Sequence, residues 1–333
     1  MRLRRSAPNG IGIRRVRRGR GFAYLDADGE PVRDEEALDR IRGLVIPPAW
    51  REVWICPYRN GHIQAMGIDD AGRRQYLYHE EWRRARDEEK HERVLDLAAR
   101  LPEVRARIHA DLTAPGLGRD RVLAGALRIL DRGVFRTGGE EYAEENDSRG
   151  VATLLREHVC LQGDELRFEF PAKGGIERSA VIRDRPLAKL IAVLRRGRAD
   201  DERLFAYRNG SRALRELRAH DVNERFKELA GPEFTVKDMR TWTATVVAAA
   251  AFAAHEPAKS QRALKRAEAG VMRAVAEQLG NTPAVARRSY VDPRVCEAFR
   301  AGHTIEGALL DIYEVDNESR EALERAVLKL LRG

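Results

Sequence analysis

The stretch Gly280–Tyr290 combines the signals of a helix start with two arginines and a tyrosine. Its glycine suits the left-handed position that closes a helix, and Asn281 or Thr282 followed by Pro283 is typical of the cap and first residue of the next helix. Tyr290 would then lie about two turns from the cap, on a rigid element beside positive charge. This arrangement suits a nucleophile that attacks a phosphate. The same residues also fit an ordinary capped helix whose tyrosine ring packs while its hydroxyl group faces water.

Lysine is rare in this chain, with eight lysines among the 61 basic residues. Arginine stays protonated in proteins, whereas a lysine can give up a proton when its surroundings lower its pKa. Lys173 precedes two glycines between two strand-like segments, and it therefore lies on a predicted hairpin turn. It is a candidate proton donor to a leaving group. A turn lysine that is simply solvated explains the same pattern.

Three further cations lie in patterns that could bind an anion. Lys237 and Arg240 are three residues apart and would share one face of a helix. Surface ion pairs with Asp238 or Glu233 would explain them equally well. Arg136 stands in Phe-Arg-Thr-Gly-Gly, between the predicted end of a helix and a glycine loop. A cation is favoured at a helix C-terminus in any case, so no one of these residues establishes a function by itself.

Taken together and in chain order, these residues resemble the catalytic set of the type IB DNA topoisomerases, of the poxvirus-like and small bacterial kind. The shared motifs are Phe-Arg-x-Gly, Phe-Pro-Ala-Lys-Gly-Gly, Lys-Asp-Met-Arg-Thr-Trp, and Thr-Pro followed by Arg-Arg-Ser-Tyr. The matching residues are Arg136, Lys173, Arg240, Asn281 and Tyr290. The resemblance extends back to about residue 20 through Ile-Pro-Pro-Ala-Trp at 46–50 and Gly-Arg-Arg-Gln-Tyr-Leu-Tyr at 72–78.

The resemblance implies that Tyr290 attacks a backbone phosphorus of duplex DNA, forming a 3′-phosphotyrosyl link and releasing a 5′-hydroxyl group. The cut strand then rotates and is rejoined, which relaxes supercoils. Arg136 and Arg240 would bind the nonbridging phosphate oxygens in the transition state. Lys173 would protonate the leaving oxygen, and Lys237 would assist proton transfer or contact a phosphate.

Asn281 stands where many members of the family carry histidine. An amide can donate a hydrogen bond to a phosphoryl oxygen but carries no charge, so this interaction should be weaker than that of an imidazolium. Because the tyrosyl ester conserves the bond energy and the arginines supply the charge, the resemblance implies no cofactor: neither ATP nor a metal ion is obligatory. A monomer is expected from the family, working on double-stranded DNA through mostly phosphate contacts.

The elements that would position these residues predict an α+β fold in two parts. Residues 1–20 are predicted as a basic N-terminal arm, 21–85 as a small antiparallel β-rich DNA-binding domain, and 86–333 as a larger, mainly helical catalytic domain. The linker is expected near residues 80–90, where charge-rich helical segments begin. The resemblance implies the fold of type IB topoisomerases and tyrosine recombinases, with the two domains forming a clamp around duplex DNA. Within the helical domain, the apolar segment Thr241–Ala254 predicts a buried core helix.

The last strand of the β-rich domain carries basic and aromatic residues on one face. Arg74, Tyr76 and Tyr78 share that face because side chains alternate along a strand. Together with Gln75 they are the predicted DNA contacts of this domain. Aromatic cross-strand packing beside a solvated arginine remains an open alternative.

The composition permits a nucleic-acid partner. The chain has a net charge of +8 and a pI near 9.6, and eight of its first 20 residues are arginines. Such an arm suits phosphate contacts, and a solvated disordered tail is equally compatible. The three cysteines have neither disulfide-framework nor zinc-ligand spacing, and no apolar run reaches the length of a membrane span. A cytoplasmic, nucleoid-associated protein is therefore expected, and the arginine bias suggests a bacterial source.

Two other functions fit part of the pattern. A tyrosine recombinase or integrase shares the order of arginine, lysine, arginine and tyrosine. However, recombinases usually carry His-x-x-Arg where this chain has Lys237 and Arg240, and their N-terminal domain is typically helical. A non-catalytic architectural DNA-binding protein would explain the arginine arm and the net charge, but it leaves the four motifs unexplained.

Overall fold

The computed structural model describes residues 2–133, 135–141, 143, 147–197, 199–208, 214–256, 260–305 and 317–333. The chain forms two compact units, Met1–Lys90 and His91–Gly333. The boundary between them follows Lys90, at the end of the 80–90 region where a linker was expected, and the chain there is part of a helix, α2 (Glu80–Thr113). No helix of the described ranges is long and apolar enough to cross a membrane.

The N-terminal unit is built on a five-stranded antiparallel sheet. Its strand order is β2-β1-β3-β4-β5, and every neighbouring pair is antiparallel. The elements are β1 (Ile13–Arg18), β2 (Gly21–Leu25), α1 (Glu35–Gly43), β3 (Arg51–Ile55), β4 (Ile63–Ile68) and β5 (Arg74–Tyr78). Ile41 of α1 packs against the inward side chains of the sheet, which include Val53, Ile55 and Ala65. The predicted antiparallel β-rich domain is confirmed.

The basic arm predicted for residues 1–20 is partly included in this sheet. Ile13–Arg18 is β1, which pairs with β2 along its length and with β3 at its start. Before it, the N–H of Arg4 donates to Asn60 O at 2.8 Å, and the N–H of His62 donates to Arg4 O at 2.9 Å. The arginines hid the strand because only one face of a sheet needs apolar side chains, and Ile13 supplies that face while being 8% exposed.

The C-terminal unit is mainly helical, with a three-stranded antiparallel sheet inserted between its helices. After α2 its elements are α3 (Arg119–Gly133), β6 (Val159–Gln162), β7 (Glu165–Ala172), β8 (Ile176–Arg183), α4 (Arg185–Leu194), β9 (Ala206–Arg208), β10 (Leu214–Glu216), α5 (Ala219–Ala230), α6 (Val236–Ala253), α7 (Gln261–Leu279), α8 (Pro293–Arg300) and α9 (Asn317–Arg332). Helix α6 is buried along nearly its whole length, and Trp242 and Phe252 are each 1% exposed. This confirms the prediction of a core helix there.

The segment after α7 has the caps that its sequence predicts. Gly280 closes α7 with φ 59° and ψ 52°, the left-handed conformation that favours glycine. The Thr282 hydroxyl accepts a hydrogen bond from Val285 N at 3.3 Å and starts a single helical turn. The next turn, Ala286–Tyr290, is wider than an α-helix, because Val291 N donates to Ala286 O five residues earlier. Such π-type turns are rare in proteins, and those that occur are often found at functional sites.

Candidate active site

A basic pocket of about 380 Å³ lies in the C-terminal unit, where the β7–β8 hairpin meets the end of α7. Four of the residues predicted from the motifs line it: Arg136, Lys173, Arg240 and Asn281. Arg149 and Arg178 add positive charge, while Glu177 and Glu277 bring two carboxylates to the rim. The long-range folding of the chain therefore brings together residues that are up to 145 positions apart in sequence.

Arg136 is held by two backbone segments that approach each other closely. Arg136 O accepts from Val151 N at 2.9 Å. Two residues after Arg136, Gly138 has φ 80°, and a Cβ atom there would lie 2.8 Å from the backbone of Gly150. Only glycine fits this crossing, which explains the glycine of the Phe-Arg-x-Gly motif in physical terms. The Arg136 side chain is half-buried and donates to Gly280 O at 3.0 Å and to Asn281 Oδ1.

Arg240 is buried beside the tyrosine. It is 6% exposed, and its guanidinium group donates to Leu279 O. The guanidinium carbon lies 5.4 Å from the centroid of the Tyr290 ring. Burial and the positive charge of Arg136 lower the pKa of Arg240 to about 10, against the opposing effect of Tyr290. At neutral pH the group therefore keeps its charge and is attracted to anions.

The C-terminus of α7 is capped by three guanidinium groups. A helix leaves its last carbonyl groups without partners and carries partial negative charge at this end. Here Arg178 donates to Glu277 O at 3.0 Å and to Gln278 O, Arg240 donates to Leu279 O, and Arg136 donates to Gly280 O. Burial also lowers the pKa of Arg136. Four successive carbonyl oxygens thus gather the cations at one side of the pocket.

Arg178 was not predicted from the sequence. It lies on β8, and its carbonyl partners are 99 and 100 residues away along the chain. No local motif marks it, because an arginine on a polar strand is ordinary. Its position five residues after Lys173, on the same hairpin, is the one signal that pointed to this site.

Asn281 is oriented with its carbonyl oxygen toward Arg136. Its Nδ2 is buried and, among the residues that the structure describes, has no hydrogen-bond acceptor. Most buried polar atoms in proteins are hydrogen-bonded. An amide donor in this pocket is therefore suited to an oxygen atom of a ligand.

Tyr290 lies at the end of the wide turn and is half-buried, with its ring against the core. The Thr245 hydroxyl of α6 lies 3.4 Å from Tyr290 O and accepts from Asp292 N at 3.1 Å. On the other side of the turn, Arg287 forms an ion pair of 3.3 Å with the buried Glu268 of α7. The ring packs against the core, as one interpretation of the sequence predicts, and the Arg240 guanidinium group lies beside it.

The two predicted lysines have different surroundings. Lys173 is exposed on the β7–β8 turn and lines the pocket. Lys237 is exposed in the first turn of α6 and is not among the described residues that line the pocket. Its expected partners are engaged elsewhere, because Asp238 pairs with Arg93 at 2.9 Å and Glu233 pairs at 3.2 Å with an arginine of α2.

In the N-terminal unit, Arg74, Tyr76 and Tyr78 are exposed on one face of the edge strand β5. The rings of Tyr76 and Tyr78 stack with centroids 6.0 Å apart. Gln75 is half-buried on the opposite face, where its Nε2 donates to Asp69 Oδ2 at 2.9 Å. The structure thus groups three of the four predicted contacts and separates Gln75 from them.

Two family models match the chain. The catalytic core of eukaryotic DNA topoisomerase I matches residues 79–303, and the N-terminal domain of bacterial DNA topoisomerase IB matches residues 21–69. DNA topoisomerase 1B of Acanthamoeba polyphaga mimivirus is 31% identical over 287 residues, which are 84% of this chain and 85% of the viral protein. DNA topoisomerase 1B of vaccinia virus (strain Copenhagen) is 24% identical over 237 residues, or 70% and 71% of the two chains. DNA topoisomerase 1 alpha of Arabidopsis thaliana is 28% identical over 162 residues, or 48% of this chain and 16% of the plant protein.

The matches cover both parts of the chain in the predicted order. The catalytic-core model extends over more than half of the chain and includes the pocket and the tyrosine beside it. The N-terminal model covers most of the five-stranded sheet. This chain therefore belongs to the type IB DNA topoisomerases, a family of isomerases.

Proposed function

We propose that this chain relaxes supercoiled duplex DNA by cutting and rejoining one strand through Tyr290. The observation that carries the proposal is the meeting of Arg136, Arg240 and Asn281 at one pocket, with the Arg240 guanidinium carbon 5.4 Å from the centroid of the Tyr290 ring. A buried cation, a half-buried cation and an amide donor form a site for a tetrahedral oxyanion, and the phenol is the adjacent nucleophile.

The covalent step exchanges one phosphodiester for another. The Tyr290 oxygen forms a bond to phosphorus, the bond from phosphorus to the 5′ oxygen breaks, and the strand keeps its 3′ phosphate on the tyrosine. The phenol loses its proton to solvent or a base, while Lys173 gives a proton to the departing 5′ oxygen. Rejoining runs the same exchange backwards, so no nucleotide is consumed.

The basic residues act on charge that grows during this step. Arg136 and Arg240 donate to carbonyl groups at the end of α7. A phosphate oxygen carries more negative charge than a carbonyl oxygen and competes for the same donors. The Asn281 amide supplies a further donor. Removing one such donor typically slows the chemical step about 100- to 1000-fold.

Lys237 has a more distant role in this proposal. It lies one helical turn before Arg240 and is exposed. A phosphate contact beside the cleaved bond suits this position better than direct proton transfer. Arg74, Tyr76 and Tyr78 would contact the duplex from the N-terminal unit, mostly through phosphates and stacking, whereas Gln75 would support the strand through Asp69.

The partner is double-stranded DNA, bound by a monomer that clamps the duplex with its two units and works with the nucleoid in the cytoplasm. Because phosphate contacts dominate, affinity should fall steeply with salt concentration. Binding to a short duplex measured at several salt concentrations tests this point. A flat dependence would contradict a phosphate-dominated clamp.

Plasmid relaxation tests the proposal as a whole. Negatively supercoiled DNA is incubated in EDTA without ATP, and covalent protein is trapped with detergent. Wild-type protein should relax the plasmid and be recovered on a 3′ end. Tyr290→Phe should do neither, while Tyr58→Phe, which removes a hydroxyl group from an exposed tyrosine elsewhere, should behave as wild type. An adduct formed by Tyr290→Phe, or no relaxation by the wild type, would refute the proposal.

A further inference from the structure

Arg178 connects two parts of the site that come from distant segments. It lies on β8 and is the cross-strand neighbour of Phe170 on β7, five residues after Lys173 at the turn. Its Nη1 and Nη2 reach the Glu277 and Gln278 carbonyl oxygens at the end of α7. Among the described residues it forms no ion pair with a carboxylate. Its guanidinium group is therefore committed to backbone oxygens.

The hairpin turn that carries Lys173 is held by backbone bonds, since Gly175 N donates to Ala172 O at 3.0 Å and Arg149 N donates to Pro171 O at 2.7 Å. Gly174 and Gly175 have φ values of 87° and 72°, and a Cβ atom on either would meet nothing within 4 Å. Strand β8 is an edge strand with a neighbour on one side, β7. Lys173 is exposed. The backbone bonds hold the turn within its own sheet, whereas Arg178 bonds the hairpin to α7.

The end of α7 bonds several residues of the site. Arg178 bonds the Glu277 and Gln278 carbonyl groups, the next two carbonyl groups bond Arg240 and Arg136, and the residue that follows them is Asn281. A guanidinium group can donate to two carbonyl oxygens in a fixed plane, which gives orientation as well as attraction. Arg178 therefore connects the hairpin to the same segment that holds the phosphate-binding groups.

We infer that Arg178 is a positioning residue for proton donation: by fastening the β7–β8 hairpin to the C-terminus of α7, it places Lys173 beside the leaving 5′ oxygen. This inference rests on the proposed function, in which Lys173 is the acid. It assigns Arg178 no contact with phosphorus. A residue that acts in this way should matter for cleavage only when the leaving group needs a proton.

The test compares two duplexes that share a cleavage site mapped with the wild-type protein. One has an ordinary phosphodiester, and the other has a bridging sulfur in place of the 5′ oxygen, which leaves without a proton. Single-turnover formation of the covalent adduct is measured for both. Arg178→Ala should slow cleavage of the ordinary duplex by about 10- to 100-fold, as expected for a misplaced catalytic group. On the sulfur duplex it should approach the wild-type rate.

Lys173→Ala and the double variant complete the comparison. The double variant should be no slower than Lys173→Ala on the ordinary duplex, because a positioning residue has nothing left to position. Arg183→Ala is the matched control, since Arg183 lies on the same strand, is exposed and pairs with Glu165 at 3.2 Å. It should cleave both duplexes at the wild-type rate. Arg178→Lys, which keeps a cationic donor, should recover part of the loss.

The results distinguish a failure of the role inferred for Arg178 from a failure of the acid role proposed for Lys173. If Lys173→Ala is rescued by sulfur and Arg178→Ala is slowed equally on both duplexes, Arg178 acts on the phosphate and the inference is wrong. Wild-type rates for Arg178→Ala would also refute it. If Lys173→Ala is not rescued, the acid role of Lys173 fails and the inference fails with it. Should Arg178→Ala unfold at the assay temperature, Arg178→Gln retains an amide donor and must show the same preference for the sulfur duplex.

Discussion

Substitution of Thr245 on α6 tests whether this helix holds Tyr290 in place. Thr245 is 1% exposed, and its hydroxyl group accepts from Asp292 N at 3.1 Å and lies 3.4 Å from Tyr290 O. Thr245→Val keeps the shape of the side chain and removes the oxygen. The N–H of Asp292, a residue that is 2% exposed, then loses its acceptor.

An unsatisfied buried N–H costs about 1–3 kcal/mol, which corresponds to roughly a 5- to 150-fold change in an equilibrium constant. We expect the free energy of unfolding in urea to fall by about this amount. Single-turnover cleavage through Tyr290 should slow as well, because the backbone that carries the phenol is no longer fastened to α6. Thr245→Ser retains the hydroxyl group and should restore most of both properties.

Thr243→Val is the control for this experiment. Thr243 lies on the same helix, is 3% exposed, and donates to Met239 O at 3.1 Å, away from the tyrosine. It should change stability slightly and leave cleavage unchanged. Wild-type stability and cleavage in Thr245→Val, or a Thr245→Ser variant as slow as Thr245→Val, would refute the idea that this hydroxyl group positions Tyr290.

Three further predictions concern the surroundings of the site and the core. Gly138→Ala places a Cβ atom 2.8 Å from the Gly150 backbone at a φ of 80°, so the free energy of unfolding measured by calorimetry should fall by at least about 1 kcal/mol and cleavage should slow. Gly139→Ala, whose Cβ atom meets nothing within 4 Å, should be neutral. Equal behaviour of the two variants would contradict the close approach of the two backbone segments. Asn281→His should preserve plasmid relaxation, since an imidazole can also donate to a phosphoryl oxygen, and complete inactivation would mean that residue 281 does not face the phosphate. Burial alone would raise the pKa of Asp131, but Arg105 and its neighbours hold it well below the ordinary value, so its contribution to stability is present above about pH 4 and lost as pH falls towards the folded-state pKa. Asp131→Asn should lower the free energy of unfolding by about 3–5 kcal/mol at neutral pH. It should also lessen the decline of that free energy below about pH 4. An unchanged decline at low pH would show that other carboxylates control it.

Several features of the site follow from neighbours in sequence, and these were predictable. Gly280 closes a helix because its own backbone adopts the left-handed conformation, and Thr282 caps a residue three positions later. The alternation that exposes Tyr76 and Tyr78 is a property of any extended strand. The motifs identify Arg136, Lys173 and Arg240 as candidates, but spacing along the chain does not bring them to one pocket; the resemblance to a known family is what implied a shared site.

Other features depend on contacts between segments far apart in the chain. Ile13–Arg18 reads as a polycation and becomes a strand because β2 and β3 offer it backbone partners on both sides. Lys237 shares a helix with Arg240, yet one is exposed and the other is buried, because the packing of α6 selects which face meets the core.

By itself, then, the sequence determined the local elements and the identity of the reactive groups, since capping, strand alternation and side-chain chemistry depend on a residue and its near neighbours. The tertiary structure alone decided which groups surround the tyrosine. Arg178 enters the site through carbonyl oxygens 99 and 100 residues away, and Thr245 meets the Tyr290 backbone from 45 residues away. A backbone carbonyl group is the same in every residue, so no sequence pattern records which one an arginine will find.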